Sequence, residues 1–467
     1  MIRLLPYLTY AEWACAWFTQ LAFWHVSPPI RDRWVWLLLL PLAFGAARWL
    51  ITRRLSVPPA LAVITLAFLA LSAFNFEAAP LRRQDYWVVV CRPLAGLWLV
   101  AATVQLVRWE GRLRWPLAAL SALALAGVGL GMFATQWDGK SAALDPILRV
   151  LPRLDHRAFL PDAQLSFNPN EIAGALALLC PLMLGLAYWR RGRQRAAWAL
   201  VGLGLLAALL LGQSRFALVG VGVSLGLGAL LLLRGAALRW GMAALAVLLM
   251  VELLIISSVP GRPSAEPLAL AGRDVASVAR RFDMIERSLQ MLRDHPLTGV
   301  GMSMYRTAIR QPAYQIPAFE AQNFTAPHAH NLWAQMAADL GLPGLLWYGA
   351  LHLWIVWMLA RLWRADQRLA CAVGGAFLAY GLYGLGDAIT LWDRLGFVWW
   401  ALIALAASGV QVSNMRYNTN VTRSSNNEWC ASLDVTDSHD NKTRPPLGGA
   451  GAADQRNARH QRPIVVV

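Results

Sequence analysis

Runs of mostly apolar residues, each about long enough to cross a bilayer, recur from one end of this chain almost to the other. A transmembrane helix needs roughly 20 consecutive, predominantly apolar residues. Of the 467 residues, 57% are hydrophobic and only 15% are charged. Soluble domains cannot bury that much apolar surface, so the sequence predicts an all-α polytopic membrane protein. The runs predict about twelve transmembrane helices, near residues 5–25, 34–50, 58–75, 86–107, 116–134, 171–189, 196–212, 216–233, 240–258, 331–360, 369–386 and 395–411.

These runs divide the chain into four parts. Residues 1–258 hold transmembrane helices 1–9, residues 259–330 form a large loop, residues 331–411 hold helices 10–12, and residues 412–467 form a polar tail. The tail has almost no apolar periodicity, which predicts a disordered segment. Within the large loop, residues 276–293 have helical periodicity, and the apolar face of this helix is predicted to consist of Val278, Phe282, Ile285, Leu289 and Leu292. We therefore expect a partly helical loop near the membrane surface.

Arginine carries nearly all of the formal net charge of +16, and its distribution predicts the topology. By the positive-inside rule, the short arginine-rich connections face the cytoplasm, and an even number of spans leaves both termini there. The connections 135–170, 212–215 and 259–330 then lie outside. A basic face with interleaved aromatic residues is not visible, so no nucleic-acid partner is expected. The arginines of the cytoplasmic connections are Arg48, Arg53, Arg54, Arg108, Arg112, Arg114, Arg190, Arg191, Arg193, Arg195, Arg234, Arg239, Arg361, Arg364 and Arg368.

The longest outer loop breaks this charge pattern, because it is also rich in arginine. Positive charge on the outer side requires a reason, and an anionic ligand is the simplest one. The arginines concerned are Arg262, Arg273, Arg280, Arg281, Arg287, Arg293, Arg306 and Arg310.

Three arginines have positions that favour a role in a site. Arg215, in the string GQSRF, lies at the predicted outer membrane boundary, where an arginine is costly unless it is paired or solvated. A snorkelling interfacial arginine is the structural alternative. Arg280 and Arg281 lie on the predicted loop helix, where adjacent residues point about 100° apart. One of them can therefore face a site while the other faces water, although charge runs are usually solvated surfaces.

The string PHAHN places His328, His330 and Asn331 directly before a predicted span. Two histidines at this spacing are potential metal ligands, but we expect no cluster of carboxylates beside them and therefore no metal ion. A neutral imidazole is well suited to removing a proton from a sugar hydroxyl. The N-terminus of the following helix favours an anion such as phosphate.

The string ADLGLPGLLW predicts a break in that helix between Gly341 and Pro343. Residues 331–340 would then form a short half-helix ahead of the full span, in the manner of the discontinuous helices that bind anions in transporters.

Several strings of this sequence resemble the shared region of the O-antigen ligase and polymerase superfamily. The resemblance runs in blocks from about Asn168 to Leu346, and DHPLTGVG with a downstream HN is its moderately specific part. It implies a GT-C-like membrane glycosyltransferase that moves a glycan from undecaprenyl diphosphate on the periplasmic side of the inner membrane, with no metal ion or other cofactor. The strings are NPNEIAGALALLCP, SRFALVGV, RFDMIERSLQMLRDHPLTGVGMSMY and HAHNLWAQMAADLGLPGLL.

Matched residue by residue, the resemblance implies that Arg215, Arg281 and His330 are catalytic. Arg280, His328 and Asn331 are their neighbours, which we assign to substrate binding. The resemblance favours a ligase that transfers O-antigen to lipid A–core in the bilayer. An O-antigen polymerase and a protein O-oligosaccharyltransferase are the alternatives within the superfamily.

A lipid-linked glycan transporter is the alternative from another class of protein. It predicts charged residues distributed through the spans, along a path across the bilayer. The predicted spans contain few charged residues, among them Glu252. The sequence therefore favours an enzyme with its charges gathered at one face.

Overall fold

The structure is a computed structural model that describes residues 4–24, 35–53, 57–133, 135, 150–151, 169–232, 235–236, 238–243, 247, 267–316, 326, 328–393 and 395–434. Side chains are described at these positions except at residues 23–24, 35, 267–280 and 416–434. Over these ranges the regular structure is helical and no β-strand is found, in agreement with the predicted all-α class.

The helices of the described part include the predicted apolar runs that lie within it and two helices of the large loop. They are α1 (Leu5–Trp24), α2 (Leu39–Thr52, after a 3-10 turn at Val35–Leu38), α3 (Pro59–Ala78), α4 (Tyr86–Glu110), α5 (Arg114–Phe133), α6 (Pro169–Trp189), α7 (Gly192–Gly212), α8 (Arg215–Leu232), α9 (Pro267–Asp294), α10 (Tyr305–Ala308), α11 (Leu332–Ala365), α12 (Gln367–Tyr383) and α13 (Gly396–Asp434).

Eight helices of the described part are long and apolar enough to cross a membrane: α3, α4, α5, α6, α7, α8, α11 and the first part of α13. The predicted number of about twelve is therefore not reached there. The helices α2 and α12 have only 14 and 17 residues, and α1 carries Glu12 and Gln20 among its apolar residues. Most of the predicted span 240–258 lies outside the described residues. The number of about twelve stays a prediction.

The centre of the bundle consists of α4, α6 and α13, whose membrane-spanning stretches are the most buried of the eight. The helix α6 packs against α7 and α12, and α13 packs against α4. The helices α8 and α12 approach closely because Gly220 lies against the backbone of Ala379, where a Cβ atom would be only 2.3 Å from the carbonyl oxygen. Small residues permit such close approach between membrane helices. This packing places the start of α8 beside the end of α12.

The predicted break in α11 is confirmed at Gly341, which has φ 66° and ψ −162° between two helical stretches. The ring centroid of Trp333 lies 5.0 Å from that of Tyr348. Fifteen residues of straight helix would separate these side chains by about 22 Å. The half-helix 332–340 therefore folds back against the longer part of α11, and its N-terminus lies near the end of the bundle that holds Arg215.

The segment that follows α9 is held between α3 and the half-helix by close backbone contacts. The amide of Val300 donates to the Ala338 carbonyl at 2.7 Å, and the amide of Leu81 donates to the Val300 carbonyl at 3.1 Å. A Cβ atom on Gly299 would lie 2.3 Å from the Ala338 carbonyl oxygen, and one on Gly301 would lie 2.1 Å from that of Leu81. Both glycines of the string TGVG are therefore required by the fold.

We expect Gly301→Ala to destabilise the protein by at least about 1–3 kcal/mol, the usual cost of a strained backbone position. The residue has φ +124°, and its Cβ atom would meet the backbone of Leu81 rather than a flexible side chain. Thermal unfolding of the purified protein in detergent measures the effect. Gly349→Ala is the control, because no atom lies within 4 Å of its Cβ position. Equal unfolding temperatures of the two variants would contradict this interpretation of the contact.

The apolar face predicted for the loop helix is not the face that packs against the rest of the protein. The helix is real and runs from Pro267 to Asp294, but its buried residues in the described part are Met284, Ser288 and Met291. Phe282 is 68% exposed and Leu289 is 43% exposed. A helix at a membrane surface has one face against lipid and another against protein. Periodicity alone cannot tell which of two partly apolar faces packs against the protein.

The last helix extends beyond the point where the disordered tail 412–467 was predicted to begin. The helix α13 continues to Asp434, and residues 435–467 lie outside the described part of the chain. Between Val410 and Arg444 the sequence has no proline and no glycine that would end a helix. The change to polar composition correctly marks the end of the apolar run, but a helix can continue beyond the end of its apolar part.

Candidate functional site

Four separate parts of the chain meet at one end of the helix bundle. Arg215 is the first residue of α8, and Arg281 lies in the middle of α9. His328 and His330 lie in the segment before α11, and Asp387 lies in the segment between α12 and α13. The folding-back of α11 and the packing of α8 on α12 bring these segments together. All three residues predicted to be catalytic lie at this end.

The carboxylate of Asp387 lies between the two histidines. Its Oδ1 atom is 3.3 Å from Nδ1 of His330 and 3.5 Å from Nε2 of His328. The two imidazole ring centroids are 4.3 Å apart. Burial by itself raises the pKa of Asp387, but the close contact with His330 and the neighbouring imidazoles outweigh it and hold the pKa at about 2. Asp387 is therefore an anion at neutral pH.

The contacts of the two imidazoles define which nitrogen carries the proton in each. The backbone amide of His330 donates to Nδ1 of His328 at 3.3 Å, so neutral His328 has its proton on Nε2, directed at Asp387. Nδ1 of His330 lies 3.3 Å from the same carboxylate, but the contact is not in hydrogen-bonding geometry. Catalytic hydrogen bonds are often poorly aligned without substrate, and the nearby carboxylate favours a proton on Nδ1. The remaining nitrogen of His330, Nε2, then has a free lone pair and can accept a proton.

The backbone of His330 is in the left-handed region, with φ 51°, which non-glycine residues adopt only when their surroundings impose it. The amide of Leu332 donates to the Gly384 carbonyl at 2.8 Å, which ties this segment to the one that carries Asp387. The unusual conformation turns the His330 ring toward Asp387.

The side chain of Arg281 faces the site. Its Cζ atom lies 5.1 Å from the centroid of the Phe216 ring, next to Arg215 in the chain. Burial lowers the pKa of the Arg281 guanidinium, the Asp387 carboxylate raises it, and the charge of Arg215 lowers it further. Two guanidinium groups are thus gathered near one carboxylate. The side chain of Arg280 lies outside the described part, so its predicted role in substrate binding stays a prediction.

Asn331 caps the half-helix. Its Oδ1 atom accepts hydrogen bonds from the amides of Trp333 and Ala334, both at 3.0 Å, and its Nδ2 donates to the Leu385 carbonyl at 3.2 Å. An asparagine at the N-cap satisfies helix amides that would otherwise lack a partner. The structure therefore gives Asn331 a structural role, and its predicted role in substrate binding stays untested.

A single carboxylate, and not a cluster of carboxylates, accompanies the histidines, and the three residues together could hold a metal ion. The ligand atoms of His328, His330 and Asp387 lie within 4.8 Å of one another. However, a histidine ligand must present a deprotonated nitrogen, and the nitrogen of His328 that faces Asp387 carries its proton. The Arg281 cation also lies beside the cluster and would repel a dication. The chemistry of these residues fits a proton acceptor better than a metal site.

The protonation of His328 gives a pH-dependent contribution to stability. Burial lowers its pKa to about 4, with Asp387 opposing this effect and His330 and Arg281 adding to it. An unfolded histidine has a pKa of about 6.5, so the unfolded chain binds more protons than the folded one between about pH 6.5 and pH 4. The contribution of His328 to the free energy of unfolding is therefore fully present above about pH 6.5 and is lost as the pH falls toward about 4.

We expect the unfolding temperature of wild type to fall more steeply than that of His328→Gln over this window. Glutamine keeps a donor and an acceptor but has no titrating group. Asp387 titrates at lower pH, because its pKa is about 2. Thermal unfolding at a series of pH values measures the difference between the two proteins. A difference that stays constant from pH 7 to pH 4 would contradict the prediction.

Asp387 is the site residue that the sequence analysis missed. It follows the predicted span 369–386, in the string GLGDAITLWDR, at the same end of the bundle as the histidines. Two aspartates, Asp387 and Asp393, in this short connection were a usable signal. Only the packing of this connection against the PHAHN segment shows that Asp387 belongs to the site.

A bundle of apolar helices with a polar, arginine-containing site at one end defines a multi-pass membrane protein. The family model described as O-antigen ligase matches residues 202–349, which supports an assignment to the O-antigen ligase family. The match supports a glycosyltransferase-like membrane enzyme that acts in the context of lipid-linked glycans and the bilayer. It contains Arg215, Arg281 and both histidines, whereas Asp387 lies beyond it. No curated protein matches the chain.

Proposed function

We propose that this protein is an O-antigen ligase, which transfers a glycan from undecaprenyl diphosphate to lipid A–core by a metal-independent, inverting mechanism. The observation that carries the proposal is the meeting of Arg215 and Arg281 with the His330–Asp387 pair at one end of the bundle. It combines a site for an anionic leaving group with a proton acceptor, which are the two requirements of glycosyl transfer from a diphosphate.

The two arginines bind the diphosphate. A guanidinium group presents several N–H donors in a plane and matches phosphate oxygens in pairs. Partial burial strengthens these charges, because water screens them less. As the bond between the anomeric carbon and the diphosphate oxygen breaks, the electron pair moves to that oxygen. Arg215 and Arg281 stabilise the charge that develops there, as a divalent cation does in metal-dependent transferases.

His330 activates the acceptor. Its Nε2 atom takes the proton of the attacking hydroxyl, and the hydroxyl oxygen forms the new bond to the anomeric carbon on the face opposite the leaving diphosphate. Asp387 holds the imidazole by its Nδ1–H group and stabilises the imidazolium that forms. A single displacement of this kind inverts the anomeric configuration.

The orientation follows from the arginine-rich connections at the other end of the bundle. By the positive-inside rule these connections face the cytoplasm of a cell whose inner membrane holds the protein. The site then faces the periplasm and both termini are cytoplasmic. A carrier whose glycan is presented at the outer face meets the site there.

Two alternatives within the superfamily differ only in the acceptor. An O-antigen polymerase uses a second carrier-linked repeat, and a protein O-oligosaccharyltransferase uses a protein hydroxyl. The same arginines and the same general base serve all three reactions. The experiment below therefore decides which molecule accepts the glycan.

A lipid-linked glycan transporter is disfavoured by where the charges lie. Glu12 of α1 and Arg48 of α2 form a buried ion pair with 2.8 Å between Oε2 and Nε, which the sequence analysis did not anticipate. This pair joins two neighbouring helices and its charges neutralise each other, so it does not line a path across the bilayer. Glu252 lies outside the described residues.

Transfer in vitro tests the proposal. Purified protein is incubated with carrier-linked glycan and rough lipopolysaccharide in excess chelator, for wild type, His330→Ala, Arg215→Ala and Arg281→Ala, with Arg293→Ala as the control at an exposed position. We expect product from wild type and the control only, with inverted anomeric configuration. Loss of product on chelation would contradict the metal-independent mechanism, and undiminished product from the three variants would contradict the site. Product only with a second carrier-linked repeat would identify a polymerase.

A further inference from the structure

Two buried polar side chains of the half-helix form a hydrogen-bond chain behind His330. Oε1 of Gln335 accepts from the amide of Ala329 at 2.7 Å, and its Nε2 donates to Oδ2 of Asp339 at 2.8 Å. Oδ1 of Asp339 accepts from the amide of Tyr305 at 2.9 Å. Gln335 is only 3% exposed and Asp339 is fully buried. Neither side chain reaches the reacting groups.

The first link of this chain fixes the residue directly before His330. Ala329 is fully buried, so its amide has no access to water. A buried amide without a partner costs about 1–3 kcal/mol, and the segment would move to recover a hydrogen bond. Because His330 has a left-handed backbone, a rotation at Ala329 would swing the imidazole away from Asp387. Gln335 therefore holds the conformation on which the His330–Asp387 contact depends.

The other links fix the segment that follows the helix of Arg281. Asn75 of α3, which is buried, donates to the Thr298 carbonyl at 2.7 Å and accepts from the amide of Met302 at 3.0 Å. Together with Asp339, it holds residues 298–305 against the half-helix. The polar chain thus connects the segment of the proton acceptor to the segment that anchors α9.

We infer that Gln335 is a positioning residue, which holds His330 within reach of Asp387 through the amide of Ala329. This inference rests on the proposed function, because it concerns the geometry of the proton acceptor. Substitutions of Gln335 or its partner Asp339 should therefore change the rate of the chemical step and leave the binding of the diphosphate unchanged. Arg215 and Arg281, which bind the diphosphate in the proposed function, come from the separate helices α8 and α9.

Gln335→Met tests the inference, since methionine has a similar volume and no hydrogen-bonding amide. We expect kcat to fall by about tenfold to a hundredfold, the usual consequence of a misplacement of about 1 Å, while KM for the carrier-linked glycan stays close to that of wild type. Gln105→Met is the matched control, because Oε1 of this glutamine in α4 has no hydrogen-bond partner among the described residues. A kcat of Gln335→Met equal to that of the control would overturn the inference.

A double variant separates positioning from general loss of stability. In Gln335→Glu with Asp339→Asn, the new carboxylate accepts from the Ala329 amide and from the new amide group, whose oxygen accepts from Tyr305. The double variant keeps every hydrogen bond and the net charge. Gln335→Glu alone places two carboxylates together. Asp339→Asn alone directs the new NH2 group at another N–H donor. We expect the double variant to recover most of the kcat that each single variant loses. Failure of the double variant to recover kcat, with unfolding temperature restored, would also overturn the inference.

Wild type and His330→Ala are measured in the same assay, so that the two proposals fail in different ways. If His330→Ala is as active as wild type, the proposed function is wrong. If His330→Ala is inactive but Gln335→Met has the kcat and KM of wild type, only the role of Gln335 is wrong. A purely structural role would lower the unfolding temperature of Gln335→Met without lowering kcat per folded molecule, and would contradict the inference in the same way.

Discussion

Arg281→Lys is expected to lower the rate of glycan transfer by about a hundredfold or more, although it keeps the positive charge. Lysine presents its donors as a compact point charge and cannot bind two phosphate oxygens in one plane. The guanidinium of Arg281 also lies 5.1 Å from the centre of the Phe216 ring, a stacking contact that suits a planar cation. The substitution should therefore lose both the paired donors and their orientation.

Single-turnover transfer from the carrier-linked glycan measures this effect on the chemical step. Arg293→Lys is the matched control, because Arg293 lies near the end of the same helix and is exposed to solvent. We expect the control to have the rate of wild type. If Arg281→Lys also transfers at the wild-type rate, a simple electrostatic attraction suffices and the paired contact with the diphosphate is not required.

Asp387→Asn is expected to lower kcat by about a hundredfold to ten-thousandfold, the range lost when a general base or its orienting carboxylate is removed. The asparagine can turn its amide group toward Nδ1 of His330 and donate to it. The proton of His330 would then move to Nε2, and the atom that should accept the hydroxyl proton would no longer have a lone pair. The shape of the site would hardly change.

Asp393→Asn is the matched control for this substitution, because it makes the same change of side chain in the same connection. Oδ2 of Asp393 accepts from the amide of Thr390, and an asparagine oxygen can replace it. The pH dependence of kcat is measured for both variants and for wild type. Equal losses in the two variants would show that the connection as a whole, and not the contact of Asp387 with His330, is responsible.

Local features of the chain were predicted well because local chemistry determines them. Gly341 and Pro343 predicted the break in α11, which the structure has at Gly341. The string GQSRF predicted a tight connection, and α7 ends at Gly212 while α8 begins at Arg215. In each case the residue types concerned dictate the backbone in their own neighbourhood, whatever the rest of the chain does.

Features that depend on distant neighbours were predicted poorly. The sequence placed Phe282 on an apolar face of α9 but did not decide whether that face meets lipid or protein, and Phe282 is exposed. Asp387 was passed over because nothing within its own segment distinguishes it from Asp393. Its position 3.3 Å from His330 results from the contact between the segments before α11 and after α12, which are separated by two helices in the chain.

The sequence by itself determined that this chain is an all-helical membrane protein, because the length and composition of an apolar run decide whether a helix can cross a bilayer. It also identified Arg215, Arg281 and His330 as candidates. Only the tertiary structure decided which atoms meet: that Arg281 faces the site, that Asp387 accompanies His330, and that Gln335 holds the amide of Ala329. Hydrogen bonds and charge pairs act over a few ångströms, and such distances between remote residues exist only once the helices have packed.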